Sequence, residues 1–310
     1  MLGKRIERNL DGLGKTLNAA RCTKNRQGAL VGRQQGSCMF SFFKMRRRQR
    51  LRTQPFPSAW LTIIESNFPI YGRLPQADQQ ELQGHIQVFL AEKLFEGCGG
   101  LELNEEIKVT IAAQACLLLL HRETDYYPRL ITILVYPHAY LAKGAISIGG
   151  GAVLESETAR LGEAWKDGLV VLSWDDVRQG ASDLHDGHNV VLHEFAHQLD
   201  QQDGSADGAP ILEHRSQYVS WARVLSEDYE QLRRDAEHGH KNVLDKYGAT
   251  NPAEFFAVAT ECFFEKPIPL RRKHPQLYEE LKTYYRQDPA LLMSSWQAKN
   301  ALDHPNHRVS

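Results

Sequence analysis

Val190-Val191-Leu192-His193-Glu194-Phe195-Ala196-His197-Gln198-Leu199-Asp200 is the stretch that decides how this chain reads. Apart from the H-E-x-x-H at residues 193–197 it is apolar almost all round, which predicts a buried helix. Four residues on a helix turn the chain by about 400°. His193 and His197 therefore stand on one face, spaced so that both imidazoles can reach a single zinc ion. Glu194 lies on the flank of that face, within reach of a water beside the metal. Burying two imidazoles and a carboxylate without partners costs several kcal/mol, and a metal satisfies all three. The plainer alternative is a pair of hydrogen-bonded core histidines beside an ion-paired glutamate.

A catalytic zinc needs a third protein ligand and an open position. The H-x-x-G-x-x-H continuation used by one large class of zinc peptidases is absent: Asp200 stands where its Gly would be and Asp203 where its third His would be. Asp203 lacks the glycine turn that would bring it back. The best candidate lies further on, at Glu254 in Asn251-Pro252-Ala253-Glu254-Phe255-Phe256-Ala257. Asn251 is a good helix N-cap and Pro252 suits the first helical position. Glu254 also occupies the capping-box position, three residues after the cap, so a purely local role is its alternative. Glu261, two turns on and on the same face, is either a support for a liganding imidazole or the ligand itself. His185, His188, His214, His238 and His240 are rivals in polar, loop-like surroundings. Tyr247, seven residues before Glu254, could donate from its phenol to an oxyanion beside the metal. A core or surface tyrosine fits the same spacing.

The 310 residues suggest one large domain or two small ones, and the apolar fraction of 42% supports a sizeable core. Five scattered cysteines (22, 38, 98, 116 and 262) contain no C-x-x-C. That argues against a disulfide framework and a Cys-ligated zinc, and fits a cytoplasmic protein. No apolar run reaches the ~18 residues of a membrane span, and residues 1–30 lack the apolar core of a secretory signal. Charge is uneven. Residues 1–53 carry 14 Lys and Arg against Glu7 and Asp11, while the remaining 257 residues carry 23 against 36 acidic groups. We therefore expect a basic, disordered extension over 1–53, a zinc metallopeptidase domain over 54–300 and a flexible tail over 301–310. The basic run is compatible with an anionic membrane surface, nucleic acid, organelle targeting or an upstream extension before Met39. Specifying none of these partners, it gives no reason to expect direct nucleic-acid binding.

Pro55–Pro57 reads as a linker. Trp60–Ala91 is helical in pattern with a break at Leu74-Pro75, Gln76–Phe95 forms one helix, and Ile107–Leu120 a more buried one. Leu130–Tyr136, Ile146–Val153 and Leu169–Trp174 read as strands preceding the motif helix. Gly149-Gly150-Gly151 lacks the Gly-Lys-Ser/Thr of a phosphate loop and reads as a turn or flexible edge.

His193–Asp200 as His-Glu-Phe-Ala-His-Gln-Leu-Asp, with Tyr247-Gly248 and Asn251–Ala257, resembles the Mlc titration factor A family of bacterial zinc peptidases. That family is similar in its site to the catalytic domain of anthrax lethal factor. The likeness runs from about Pro57 to Pro289. The resemblance implies an α+β fold, a mostly helical zincin-like domain with a small mixed β-sheet packed on the H-E-x-x-H helix. It implies one Zn2+ per chain on His193, His197 and Glu254, with Glu194 as the catalytic carboxylate and Tyr247 as the oxyanion donor. It also implies aminopeptidase action on peptides and binding to Mlc, the repressor of glucose phosphotransferase genes. Asp200 and Glu261 are candidates to fix the imidazole tautomers. A G-x-M-E-N element, which would bind a substrate amine, is missing; Gly151–Glu155 is a faint echo. The competing reading is a regulatory protein that sequesters the repressor and hydrolyses peptides weakly. A closed structural zinc site fits worst, for lack of a fourth Cys or His at a suitable spacing.

Overall fold

The computed structural model describes residues 31–139 and 168–303. Eleven α-helices and three strands fall within them. The first half comprises α1 (Val31–Arg52), α2 (Ser58–Asn67), α3 (Gln76–Glu92), β1 (Leu94–Gly97), α4 (Glu105–Leu117), β2 (Thr132–Tyr136), β3 (Leu169–Ser173) and α5 (Trp174–Ser182). The second half is helical: α6 (Val190–Asp200), α7 (Gln217–His238), α8 (Pro252–Glu265), α9 (Pro267–Lys273), α10 (Pro275–Tyr285) and α11 (Pro289–Asp303). This is the expected mostly helical α+β architecture, with the motif on α6.

The sheet has the order β1-β2-β3, and both described pairings are parallel. An antiparallel member, expected of a mixed sheet, is not among the described residues; the candidate strand Ile146–Val153 and the triple glycine lie outside them. Alternation places Ile133, Val135, Val170 and Leu172 in the core, while Thr132, Leu134 and Leu169 are only half-buried. β1 departs from the expected helix Gln76–Phe95. Lys93 ends α3, and its buried ammonium donates to the carbonyls of Tyr127 and Leu130, both at 2.7 Å. That clamp turns the apolar Leu94 and Phe95 into an extended segment beside β2.

α6 packs against α8, α4 and the sheet. Phe195, inside the motif, is fully buried and sets its ring 4.8 Å from Tyr127 and 5.6 Å from Phe89. Tyr127 is held by its hydroxyl, which donates to the carbonyl of Ala115 on α4 at 2.6 Å. The apolar back of the motif helix is thus locked, and its polar front has one orientation.

The basic segment is corrected at its C-terminal end. The described part of residues 1–53 is helix α1, not a disordered arm, and it docks on α3. The Arg48 guanidinium lies 2.7–2.9 Å from both oxygens of Glu92 and 2.6 Å from Asp125. Its stem and charge are largely buried, which is why a basic run folds here: the acidic body supplies the counter-charges. Residues 301–303 form the last turn of α11, not tail. Residues 1–30 and 304–310 lie outside the described set.

Candidate metal centre

α6 begins at Asn189, whose side-chain oxygen accepts from Leu192 N at 3.0 Å. The same residue donates its amide nitrogen to Gly180 O at 3.0 Å. A Cβ at Gly180 would stand 2.9 Å from Asn189 Cα, so only glycine lets α5 approach the start of α6 this closely. α8 begins at Asn251, which accepts from Glu254 N at 3.0 Å, with Pro252 in the first turn. From Ala253 to Glu265 every residue of α8 is buried.

These two helices bring three side chains to one point. Glu254 Oε2 lies 3.0 Å from His193 Nε2 and 3.3 Å from His197 Nε2, and the two Nε2 atoms are 3.2 Å apart. Glu254 therefore does not turn back to cap its helix; its carboxylate faces the histidines. His197 and Glu254 are almost wholly buried. Burial works against an ionised Glu254, but its hydrogen bonds to His193 and His197 outweigh it and hold the carboxyl at about 2. Burial likewise disfavours a charged His193, yet Glu261, Glu254 and Glu194 together hold that imidazole well above the usual histidine range. The centre is built to attract a cation.

The residues fit a metal ion. Three ligand atoms about 2.0–2.1 Å from a tetrahedral ion stand about 3.3 Å from one another, close to the observed separations. Two Nε2 atoms facing each other cannot both donate, whereas both can coordinate. Glu254 Oε1 is buried with no hydrogen-bond partner, a cost that an ion alongside would offset. Among the described residues His193, His197 and Glu254 are the cluster able to hold a metal.

Behind the ligand face, His193 Nδ1 lies 2.7 Å from Glu261 Oε1, and Glu261 Oε2 accepts from Asn189 N at 2.6 Å. Glu261 thus touches the far nitrogen of the ring and is outside the ligand triangle. Asp200, the other carboxylate expected beside an imidazole, turns away and accepts from Gly208 N at 3.0 Å. Burial pushes its carboxyl up to about 8. Asp203 is exposed and accepts from Ser205 N. His185, His188, His214, His238 and His240 are all exposed. Glu194 is buried on the same helix as the two histidines. Tyr247 sits on a 3-10 turn, Lys246–Ala249, with its ring centroid 6.0 Å from that of His193 and 41% of its surface exposed. Asn189 was not anticipated, although an asparagine directly before an apolar run is a cap signal.

A family model described as glucose-regulated metallo-peptidase M90 matches residues 42–286. The chain belongs to this metallopeptidase family. The match opens inside α1, in keeping with the docking of that helix on the body. An uncharacterized protein of Synechocystis is 43% identical over 246 residues, covering 79% of this chain and 90% of the relative. The Mlc titration factor A of Serratia proteamaculans is 31% identical over 240 residues, 76% of this chain and 90% of the relative. That of Yersinia pestis is 30% identical over 242 residues, 77% and 88%. Among the described residues of this M90 member, no helix is long and apolar enough to cross a membrane.

Proposed function

We propose that this M90 protein is a zinc-dependent aminopeptidase that also binds the repressor Mlc. The observation that carries the enzymatic half is the triangle of His193 Nε2, His197 Nε2 and Glu254 Oε2, with sides of 3.0–3.3 Å. Nitrogen and carboxylate ligands on two helices, with no fourth protein group beside them among the described residues, match an open catalytic zinc site. Zinc, when bound, supplies a Lewis acid and lowers the pKa of water to about 7.

This chain's residues do the rest. Glu261 fixes the His193 tautomer, so that Nδ1 carries the proton and Nε2 presents its lone pair. Glu194 accepts a proton from the attacking water and delivers it to the nitrogen of the departing amine. Tyr247, half-exposed at the rim, donates its hydroxyl proton to the oxyanion of the tetrahedral intermediate. Restriction to free N-termini is what the family resemblance implies; affinity for Mlc is suggested by the name of the Mlc titration factor A relatives, and the acidic body offers a complement to a basic partner.

Glu194→Gln tests the reading. The variant is expected to keep its zinc, to lose hydrolysis of amino-acid p-nitroanilides by about 10²–10⁴-fold, and to retain Mlc in a pull-down. Undiminished hydrolysis contradicts the role of Glu194. Cleavage of N-acetylated substrates contradicts the aminopeptidase assignment, and failure of both variant and wild type to retain Mlc contradicts the second function.

A further inference from the structure

His274 lies between α9 and α10, 91% buried and remote in sequence from the motif. Its Nδ1 is 2.6 Å from Asp228 Oδ1 on α7, and its Nε2 is 3.1 Å from Asn242 Oδ1. The orientation of Asn242 is fixed by its other contacts. Its amide nitrogen donates to Asp235 Oδ2 at 2.7 Å, and its oxygen accepts from Leu244 N at 3.1 Å. Turning the amide over would set its NH2 against the Leu244 N–H and its oxygen against the Asp235 carboxylate. Both nitrogens of His274 therefore face oxygens, so the ring is gripped on both edges.

The turn held in this way leads directly to the rim of the site. Leu244 is buried, and Asp245 follows it. Asp245 Oδ1 accepts from Tyr247 N at 2.7 Å, and Gly248 N closes on Asp245 O at 3.1 Å. A buried polar cluster of this kind adds little net stability over an apolar filling of the same volume. What Asp228-His274-Asn242 supplies is a fixed anchor for residues 242–245, and through them for the backbone of Tyr247.

We propose that His274 is a positioning residue for Tyr247, acting through Asn242 and the 242–245 turn. The proposal rests on Tyr247 being the oxyanion donor. Its purpose is to hold a half-exposed phenol, carried by a turn of four residues, in register with two rigid helices.

The test uses His274→Gln and Asn242→Ser in the full zinc-loaded chain, each with and without Tyr247→Phe. Asn242→Ser leaves the Asp228–His274 pair in place and serves if His274→Gln does not fold. Zinc content and KM for an amino-acid p-nitroanilide are expected to stay at the wild-type level. The turnover number is expected to fall about 10- to 100-fold, as for a misplaced catalytic group, and to fall no further when Tyr247 is already Phe. An unchanged turnover number, or an equal fall in the Tyr247→Phe background, overturns the proposal. Hydrogen exchange at Leu244–Gly248 separates the anchor from the chemistry. If Tyr247→Phe alone leaves turnover unchanged, the reading of Tyr247 is wrong, whatever His274 does. If those amides exchange no faster in His274→Gln than in wild type, the anchoring itself is wrong.

Discussion

The two walls of the metal centre are held in different ways. His193, His197 and Glu254 project from α6 and α8, whose contact is buried, apolar and backed by the Phe195–Tyr127 ring pair. Tyr247 projects from a short 3-10 turn, with 41% of its surface exposed. Ligands must be preorganised, because ion affinity depends on all of them meeting at one point. A rim phenol must instead admit and release substrate. The helical wall is held along whole helices; the rim turn rests on α7 and α8 through the buried Gly248, close to Leu232 and Val258, and its register is set by short hydrogen bonds, Tyr247 N to Asp245 among them.

The sharpest way to break this contrast is to remove a ligand from the helical wall. Glu254→Gln is expected to abolish stoichiometric metal binding and reduce hydrolysis to background, as read by elemental analysis and peptide turnover. Retention of one ion per chain contradicts the role of Glu254. A smaller effect is expected one layer back. Glu261→Gln loses the charged partner of His193 Nδ1 and should weaken metal affinity about 10–100-fold in chelator competition. An unchanged affinity would mean that α6 and α8 orient the ring by packing alone.

Glu265, one turn beyond Glu261, sharpens the account of what the helical wall costs. It is buried, and desolvation pushes its carboxyl up to about 9. In the unfolded chain a glutamate titrates near 4.3. Between those two pH values the folded protein holds a proton that the unfolded chain has released. Stability contributed by this group therefore falls as pH rises from about 4 towards 9. Glu265→Gln removes that slope. It should gain on the order of 2 kcal/mol over wild type in urea unfolding at pH 8, and gain little near pH 4. Equal gains at both pH values would contradict a neutral, buried Glu265.

The smallest expected effect lies furthest from the centre. Arg48→Met keeps the buried stem but removes the bidentate partner of Glu92, leaving Arg47 beside Glu92 and Lys44 on Asp125, and should cost about 1–2 kcal/mol in the same unfolding assay. Arg46→Met, on the exposed side of α1, should cost nothing measurable.

What the sequence disclosed follows the same division. The motif helix and the α8 segment were legible because each writes its own signals locally: the H-E-x-x-H inside an apolar run for α6, and the Asn251 cap with Pro252 in the first turn for α8. Charged residues inside such greasy helices stood out for the same reason. The fate of Glu261 and Asp200 was not legible. Both could have backed an imidazole; only the crossing of α6 over α8 puts Glu261 on His193 Nδ1, while Asp200 meets the backbone of Gly208 eight residues on. β1 escaped because Leu94 and Phe95 continue the helical spacing of α3, and the clamp from Lys93 to Tyr127 and Leu130 that interrupts it spans more than thirty residues. The helical state of α1 is not legible locally because its counter-charges, Glu92 and Asp125, are more distant still in the chain. The support of the rim by His274 is of this kind too, built from α7, the 242–245 turn and the start of α10.

The central claim is that one ion is held by His193, His197 and Glu254. Anomalous scattering at the zinc edge, on crystals of the zinc-loaded protein, tests it most directly. The account predicts a single peak within about 2.0–2.2 Å of His193 Nε2, His197 Nε2 and a Glu254 oxygen, with Glu261 on the far side of the His193 ring. A peak coordinated by Glu261 or Asp203 in place of Glu254, or by a fourth protein side chain closing the site, would contradict it.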